Sequence, residues 1–233
     1  MEAVPLREQM RRIAPVVLAA EQVLPVPEVF HRLLPGGGLQ RGWVTRITGG
    51  PSARALAWAM LADVTTAGGW IATVDVPGIS LTAAQELGVA IERLLVVRTP
   101  DSSAWSATVG ALIGSVDIVA FGTPVHRITP SEHRRMASRA RERGTVLLEL
   151  DAAITTRSRP SQLPYDLSLL AQPVDWVGLG QGHGCLQGRV LDVESHGRRI
   201  GGGSRSARFE LPAVDGTVRL LEERATVTSL HAR

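Results

Sequence analysis

At 233 residues, 44% hydrophobic and 20% charged, the chain can bury a core of its own and suits one substantial domain, with or without appendages. No apolar run approaches the length of a membrane span, and the single cysteine, Cys185, excludes a disulfide framework and suits a reducing cytoplasm. All 25 basic residues are arginine, which excludes lysine chemistry of any kind, and the net charge of +3 is weak grounds for a nucleic-acid partner.

Residues 1–25 read as an amphipathic helical arm. Leu6, Met10, Ile13, Val17, Ala20 and Leu24 recur at spacings of four and three, which puts them on one face. Pro15 kinks the arm or opens a second helix. The apolar stretch from Ile13 to Ala20 follows Arg11 and Arg12 as in a leader peptide, but Glu2, Glu8 and Glu21 argue against one. Pro25 to Leu39 carries three prolines and Gly36-Gly37-Gly38. It reads as a linker with a short helix at Glu28 to Leu33. The domain reading is therefore an arm and linker over 1–35, a core over 36–217 and a tail over 218–233.

The core opens on strand, glycine turn, helix, strand. Val44 to Ile47 is a β run, Thr48-Gly49-Gly50-Pro51 a turn, Ala53 to Thr66 a helix closed by Gly68-Gly69, and Ile71 to Val76 a β-branched strand. This is how a phosphate-binding loop begins, with backbone N–H groups and a helix N-terminus aimed at an anion. The working motif is G-x-x-x-x-G-K-[ST], whose lysine reaches the β- and γ-phosphates and whose hydroxyl meets Mg²⁺. Here the turn runs Gly49-Gly50-Pro51-Ser52-Ala53-Arg54, without the lysine or the second glycine.

Further on, a helix is expected from Thr82 to Glu86, a turn at Leu87-Gly88-Val89, a short helical piece from Ile91 to Leu94 and a strand at Leu95 to Val97. Next come a helix from Ser102 to Ile113, a strand from Val116 to Phe121, a helix from Pro130 to Arg143 and a strand from Thr145 to Leu150. Strands alternating with helices imply crossover connections and a mostly parallel sheet. Asp151 to Gln172 reads as irregular. Asp175 to Leu179, Arg189 to Ser195 and Ala207 to Leu211 are short strands expected to join the sheet antiparallel.

The order of these elements resembles the RecA-type core, from about Leu34 to Leu221. LLPGGGLQRGWVTRITG is similar to that family's lead into its phosphate-binding loop. IATVDV with LGVAIERLLVVRTPD is similar to its next strand, helix and turn, and VDIVAFGT stands where it has its Walker B strand. Within that family the departures resemble the ImuA-type accessory proteins, above all the actinobacterial ImuA-prime form. The resemblance implies a role in DNA-damage-induced (SOS) mutagenesis and translesion synthesis. The implied partners are an inactive Y-family polymerase relative, ImuB, and through it an error-prone DnaE-type polymerase. RecA, DNA and self-association are further expectations, in a cytoplasmic protein that joins the nucleoid at damaged DNA.

Placed on the family's pattern, three parts of an ATPase are missing. Arg54 is the nearest cation to the absent lysine, Pro77 falls on the water-activating glutamate, and Gly122 falls on the Walker B aspartate; Asp75 is kept. No enzymatic activity and no cofactor are therefore expected, with weak ATP binding through Gly49, Gly50, Ser52 and Arg54 left open. Arg157 and Arg159 fall on the family's DNA-binding loop, but no aromatic accompanies them. The arginines of Pro130 to Arg143 read as a solvated face or a contact with phosphate or an acidic partner. Leu220, Leu221 and Leu230 give the tail apolar points for a partner. The run Gly178 to Gly184 fails the dinucleotide spacing. His183 with Cys185, and His126 with His133, fall short of a metal site, so no metal is assigned. The readings kept beside the scaffold are a diverged nucleotide-binding NTPase and a single-stranded DNA-binding module.

Overall fold

The apolar runs find their backbone partners in one sheet. The computed structural model describes residues 23–101, 103–122, 128–151, 164–180, 183–197, 203–213 and 216–228. The two short strands β1 (Val23–Leu24) and β2 (Leu39–Gln40) pair antiparallel. The main series follows as β3 (Val44–Thr48), α1 (Pro51–Thr66), β4 (Ile71–Val74), α2 (Leu81–Glu86) and β5 (Leu94–Val97), then α3 (Trp105–Leu112), β6 (Ile118–Gly122), α4 (Pro130–Arg143) and β7 (Val146–Asp151). Four long strands close the chain: β8 (Leu167–Leu179), β9 (Gly184–Gly197), β10 (Gly203–Glu210) and β11 (Arg219–Thr228). The spatial order is β11-β10-β9-β8-β3-β7-β6-β4-β5, parallel from β8 to β5 and antiparallel from β8 to β11. The fold is RecA-like α/β, a mostly parallel sheet with antiparallel strands added at the C-terminal end. The expected strands at 71–76, 116–121 and 145–150 are β4, β6 and β7, adjacent and parallel.

Two cores flank the parallel half. On the front face α1 packs Leu56, Met60 and Leu61 onto Ile47, Ile71, Ile118 and Leu148. On the back face Trp105 and Val109 of α3, with Met136 and Ala140 of α4, cover Val74, Val119, Phe121 and Leu147. Trp105 meets Phe121 edge to face, centroids 5.3 Å apart, a geometry the ring quadrupoles favour. α1 is apolar around most of its circumference because Ala84, Val89 and the N-terminal segment cover its outer side. α4 starts on a capping box between Thr129 and Glu132, with Pro130 at its first position, and stops at Gly144 in the left-handed conformation.

Three expectations are corrected. Residues 25–39 are core, not linker: Phe30, Leu33, Leu34 and Leu39 are at most 1% exposed, and the Phe30 ring tilts against Phe209 at 5.1 Å. Prolines and glycines here bend the chain into 3₁₀ turns (Glu28–Leu33 and Pro35–Gly37) while its apolar residues cap the front face. Leu167 to Gln172 is not irregular but the first half of β8, which continues the parallel register beside β3. Its neighbour Asp166 anchors it by accepting the Val44 N–H at 3.0 Å. Residues 219–228, expected as part of a C-terminal tail of undefined structure, form the edge strand β11, whose Leu220 packs on the core. The arm over residues 1–22 and the segment 152–163 lie outside the described residues. No described helix is long and apolar enough to cross a membrane.

Candidate functional site

The site to build is the end of β3, where RecA-type cores hold nucleotide. β3 ends at Thr48 and α1 begins at Pro51, so Gly49 and Gly50 alone connect them. Two residues cannot form the wrap that the four-residue spacer of a phosphate-binding loop provides. Gly49 has φ 126°, and a β-carbon there would stand 2.0 Å from the Ala171 carbonyl oxygen. The backbone of β8 thus closes over the turn, and only glycine fits. The α1 N-terminus is also largely spent as an anion site. Pro51 has no N–H, and the amides of Ser52 and Ala53 donate to the carbonyls of Gly49 and Gly50 at 3.2 and 3.1 Å. Ser52 is 3% exposed.

The other family positions come together differently. Asp75 sits at φ 48° just beyond β4, and its carboxylate is occupied: Oδ1 accepts the Thr99 N–H at 2.9 Å and Oδ2 the Thr99 hydroxyl. It ties the loop after β5 to the loop after β4. At the end of β6, Gly122 is pressed on two sides. A β-carbon there would stand 2.7 Å from the Asp75 carbonyl oxygen and 2.9 Å from Pro77 Cδ. The positions of both family carboxylates therefore pack against each other as ring and bare backbone. Arg54, in the first turn of α1, does not enter the turn. Its guanidinium lies along Gly78, where a β-carbon would stand 3.4 Å from Nη2.

Sequence reasoning missed a buried polar group on the back face. Arg46 of β3 pairs in register with Glu149 of β7, Nε to Oε2 at 2.9 Å, side chains 11% and 0% exposed. Tyr165 lies under the Arg46 guanidinium at 4.6 Å. His133 of α4 is 5% exposed. Burial, then the charges of Arg46 and Arg141, holds its pKa below the usual histidine value, against a smaller pull from Asp166. The sequence signal was a charge inside each of two buried strands, VTRIT and VLLELD, which requires a buried partner.

Of the remaining candidates, Leu220 is half-buried against the core and Leu221 is exposed on β11. Cys185 is exposed on β9, and His183 lies in the turn before it, within 2.8 Å of where a β-carbon on Gly180 would stand. Arg157, Arg159, His126 and Leu230 lie outside the described residues. The outer edge of β5, which has β4 as its strand neighbour, carries exposed Leu95 and Val96, with exposed Ile91 just before β5 and exposed Trp70 just before β4 in the chain.

The MT3502 N-terminal domain family model matches residues 32–155, the span from the buried N-terminal segment to just past β7. An uncharacterised protein of Mycobacterium tuberculosis, Rv3395c, is 34% identical over 197 residues, which cover 82% of this chain and 91% of that protein. The crystal structure of the RadB recombinase superposes with a TM-score of 0.58 at 13% identity, over 84% of this chain and 97% of that one; at that identity the likeness is one of fold. With its family match spanning more than half its length and a relative this similar along most of it, the chain belongs to the MT3502 N-terminal domain family.

Proposed function

We propose that the chain is a non-catalytic RecA-like scaffold of the ImuA type. In this reading it holds an ImuB-like inactive Y-family polymerase relative, and through it an error-prone DnaE-type polymerase, at damaged DNA in the cytoplasm. The observation that carries the reading is the packing of Pro77 on Gly122, with 2.9 Å between the proline Cδ and any β-carbon at Gly122. Neither position has room or chemistry for a carboxylate that would hold Mg²⁺ or activate water. The two-residue turn at Gly49-Gly50 supports the same reading, because it leaves no cradle for a triphosphate.

A core without hydrolysis keeps its association surfaces. Strand addition at a free sheet edge needs main-chain pairing and apolar side-chain contacts only. The β5 edge, with Leu95 at 40% and Val96 at 45% exposure, offers both, and we assign the partner's strand to it. The test is co-expression of the full chain with an ImuB-like partner, alongside an ATPase assay with and without single-stranded DNA. The expected result is a retained partner and no turnover above background. Turnover that follows the folded protein and vanishes in Arg54→Ala would overturn the non-catalytic reading.

A further inference from the structure

The two helices on the back of the sheet carry a charge pattern that the fold does not use. In its 14 residues α4 holds Arg134, Arg135, Arg139, Arg141 and Arg143 against Glu132 and Glu142, and all five arginines are exposed. Arg135, Arg139 and Arg143 follow at spacings of four, so they form one row, about 6 Å between neighbours and roughly 12 Å in all. Like charges four apart oppose the helix that carries them, and the nearby carboxylates are spent elsewhere. Glu132 closes the capping box; its bonds to Thr129 hold its pKa low, with Arg135 a lesser cause. Glu142 accepts the Ser138 hydroxyl at 3.1 Å, and Asp166 takes Arg141 at 3.4 Å. Among the described residues no carboxylate lies within ion-pair distance of Arg135, Arg139 or Arg143.

Two contacts show which way the row faces. Ser106 of α3 donates to Glu132 Oε1 at 3.5 Å. The Arg143 side chain lies along Gly114, just past α3, where a β-carbon would stand 3.1 Å from its Cγ and Cδ. Glu132 and Arg143 are about three helical turns apart, so both look toward α3. Arg139, four residues before Arg143, looks the same way, and Arg135 stands on the outer rim. The facing side of α3 is small: Ser106, Ala107 and Gly110. At Gly110, between the two contacts, a β-carbon would meet nothing within 4 Å. The helices touch near both ends and leave space at Gly110, with bare backbone as its floor and guanidinium groups as one wall.

We propose that the α3–α4 groove docks an acidic helical segment of a partner protein, with carboxylates one turn apart on Arg135, Arg139 and Arg143 and a side chain between them over Gly110. Carboxylates four residues apart on a helix repeat at the spacing of the row, and the planar fork of arginine matches each one bidentately. A nucleic acid is the poorer match. Glu132 and Glu142 stand near the two ends of the row and repel phosphate, and Trp105, the only Phe, Trp or Tyr of the two helices, is buried and offers no ring to an unstacked base. This docking is separate from strand pairing at β5 and stands without it.

The test is fluorescence anisotropy on the full chain with a labelled alanine-rich helical peptide carrying three glutamates at four-residue spacing. A peptide of the same composition with its glutamates two residues apart, which splits them around the helix, should bind at least about five-fold more weakly. Arg135→Gln with Arg139→Gln should weaken binding about ten-fold. Gly110→Leu fills the open position with a better helix former and should weaken binding by a similar factor; circular dichroism confirms that both variants fold. Duplex DNA at equal charge should not displace the peptide. Four results would overturn the site: no binding of the first peptide, equal affinity for the two peptides, wild-type affinity in either folded variant, or displacement by the duplex, which would make the row a phosphate contact.

Discussion

Gly122 is the position at which the proposed loss of catalysis can be read as stability. A β-carbon there would meet the Asp75 carbonyl oxygen at 2.7 Å and Pro77 Cδ at 2.9 Å, both inside van der Waals contact. Neither neighbour is the movable end of a side chain. One belongs to the backbone just after β4 and the other to a ring, while β6 itself is held between β4 and β7. Gly122→Ala must therefore displace a strand or the 75–78 loop, and overpacking of this kind costs about 1–3 kcal/mol. For a chain of this size, 2 kcal/mol lowers Tm by roughly 6 °C. Urea unfolding followed by circular dichroism measures the change directly. Gly122→Asp, the restoration of the family carboxylate, should be at least as costly and should confer no Mg²⁺-dependent ATP turnover. An unchanged midpoint in Gly122→Ala, or turnover in Gly122→Asp, would show that this end of β6 is looser than its contacts indicate.

Three further outcomes follow from the packing. Phe30→Ala should lose about 3–5 kcal/mol because it empties a fully buried aromatic site, whereas a linker residue would lose almost nothing; the denaturation midpoint distinguishes the two. Glu149→Ala should cost about 3–5 kcal/mol by taking the paired carboxylate from buried Arg46, and the double change Arg46→Met with Glu149→Leu should recover most of it, as a double-mutant cycle would reveal. His133 has a folded pKa below its ordinary 6.5, so the unfolded chain holds the extra proton at mildly acid pH. Its contribution is intact above about 6.5 and declines as pH falls through that value. The loss of Tm between pH 7 and pH 5 should be smaller in His133→Gln.

The parallel half of the sheet was legible because its strands are mostly apolar runs, with only isolated charges, between glycine turns. VDIVAF and TVLLEL have no polar alternation and fit only a sheet covered on both faces. The N-terminal segment was not legible, since Pro25, Pro27, Pro35 and three glycines outweigh Phe30, Leu33 and Leu34 when composition is read locally. Only the tertiary contact with Phe209 shows which signal wins. The first half of β8 was hidden for a similar reason, standing between a proline-rich stretch and Pro173. In the site, the absent lysine and carboxylates could be read by position. That the backbone of β8 closes over the Gly49-Gly50 turn depends on Ala171, more than 120 residues away, and no local pattern announces it. Arg46 and Glu149 could have been paired in advance as the charges inside two buried strands.

The central claim is that this core works by holding a partner at its sheet edge and not by turning over nucleotide. Binding of an ImuB-like partner to the purified full chain, measured by titration calorimetry, tests it most directly when three proteins are compared. Wild type and Arg54→Ala should bind within about 1 kcal/mol of each other, as expected for a substitution outside an interface. Leu95→Asp with Val96→Asp on the β5 edge, in a protein shown to be folded, should weaken binding at least ten-fold. No binding by the wild-type chain, or a folded Arg54→Ala that fails to bind while the edge variant binds normally, would contradict the account.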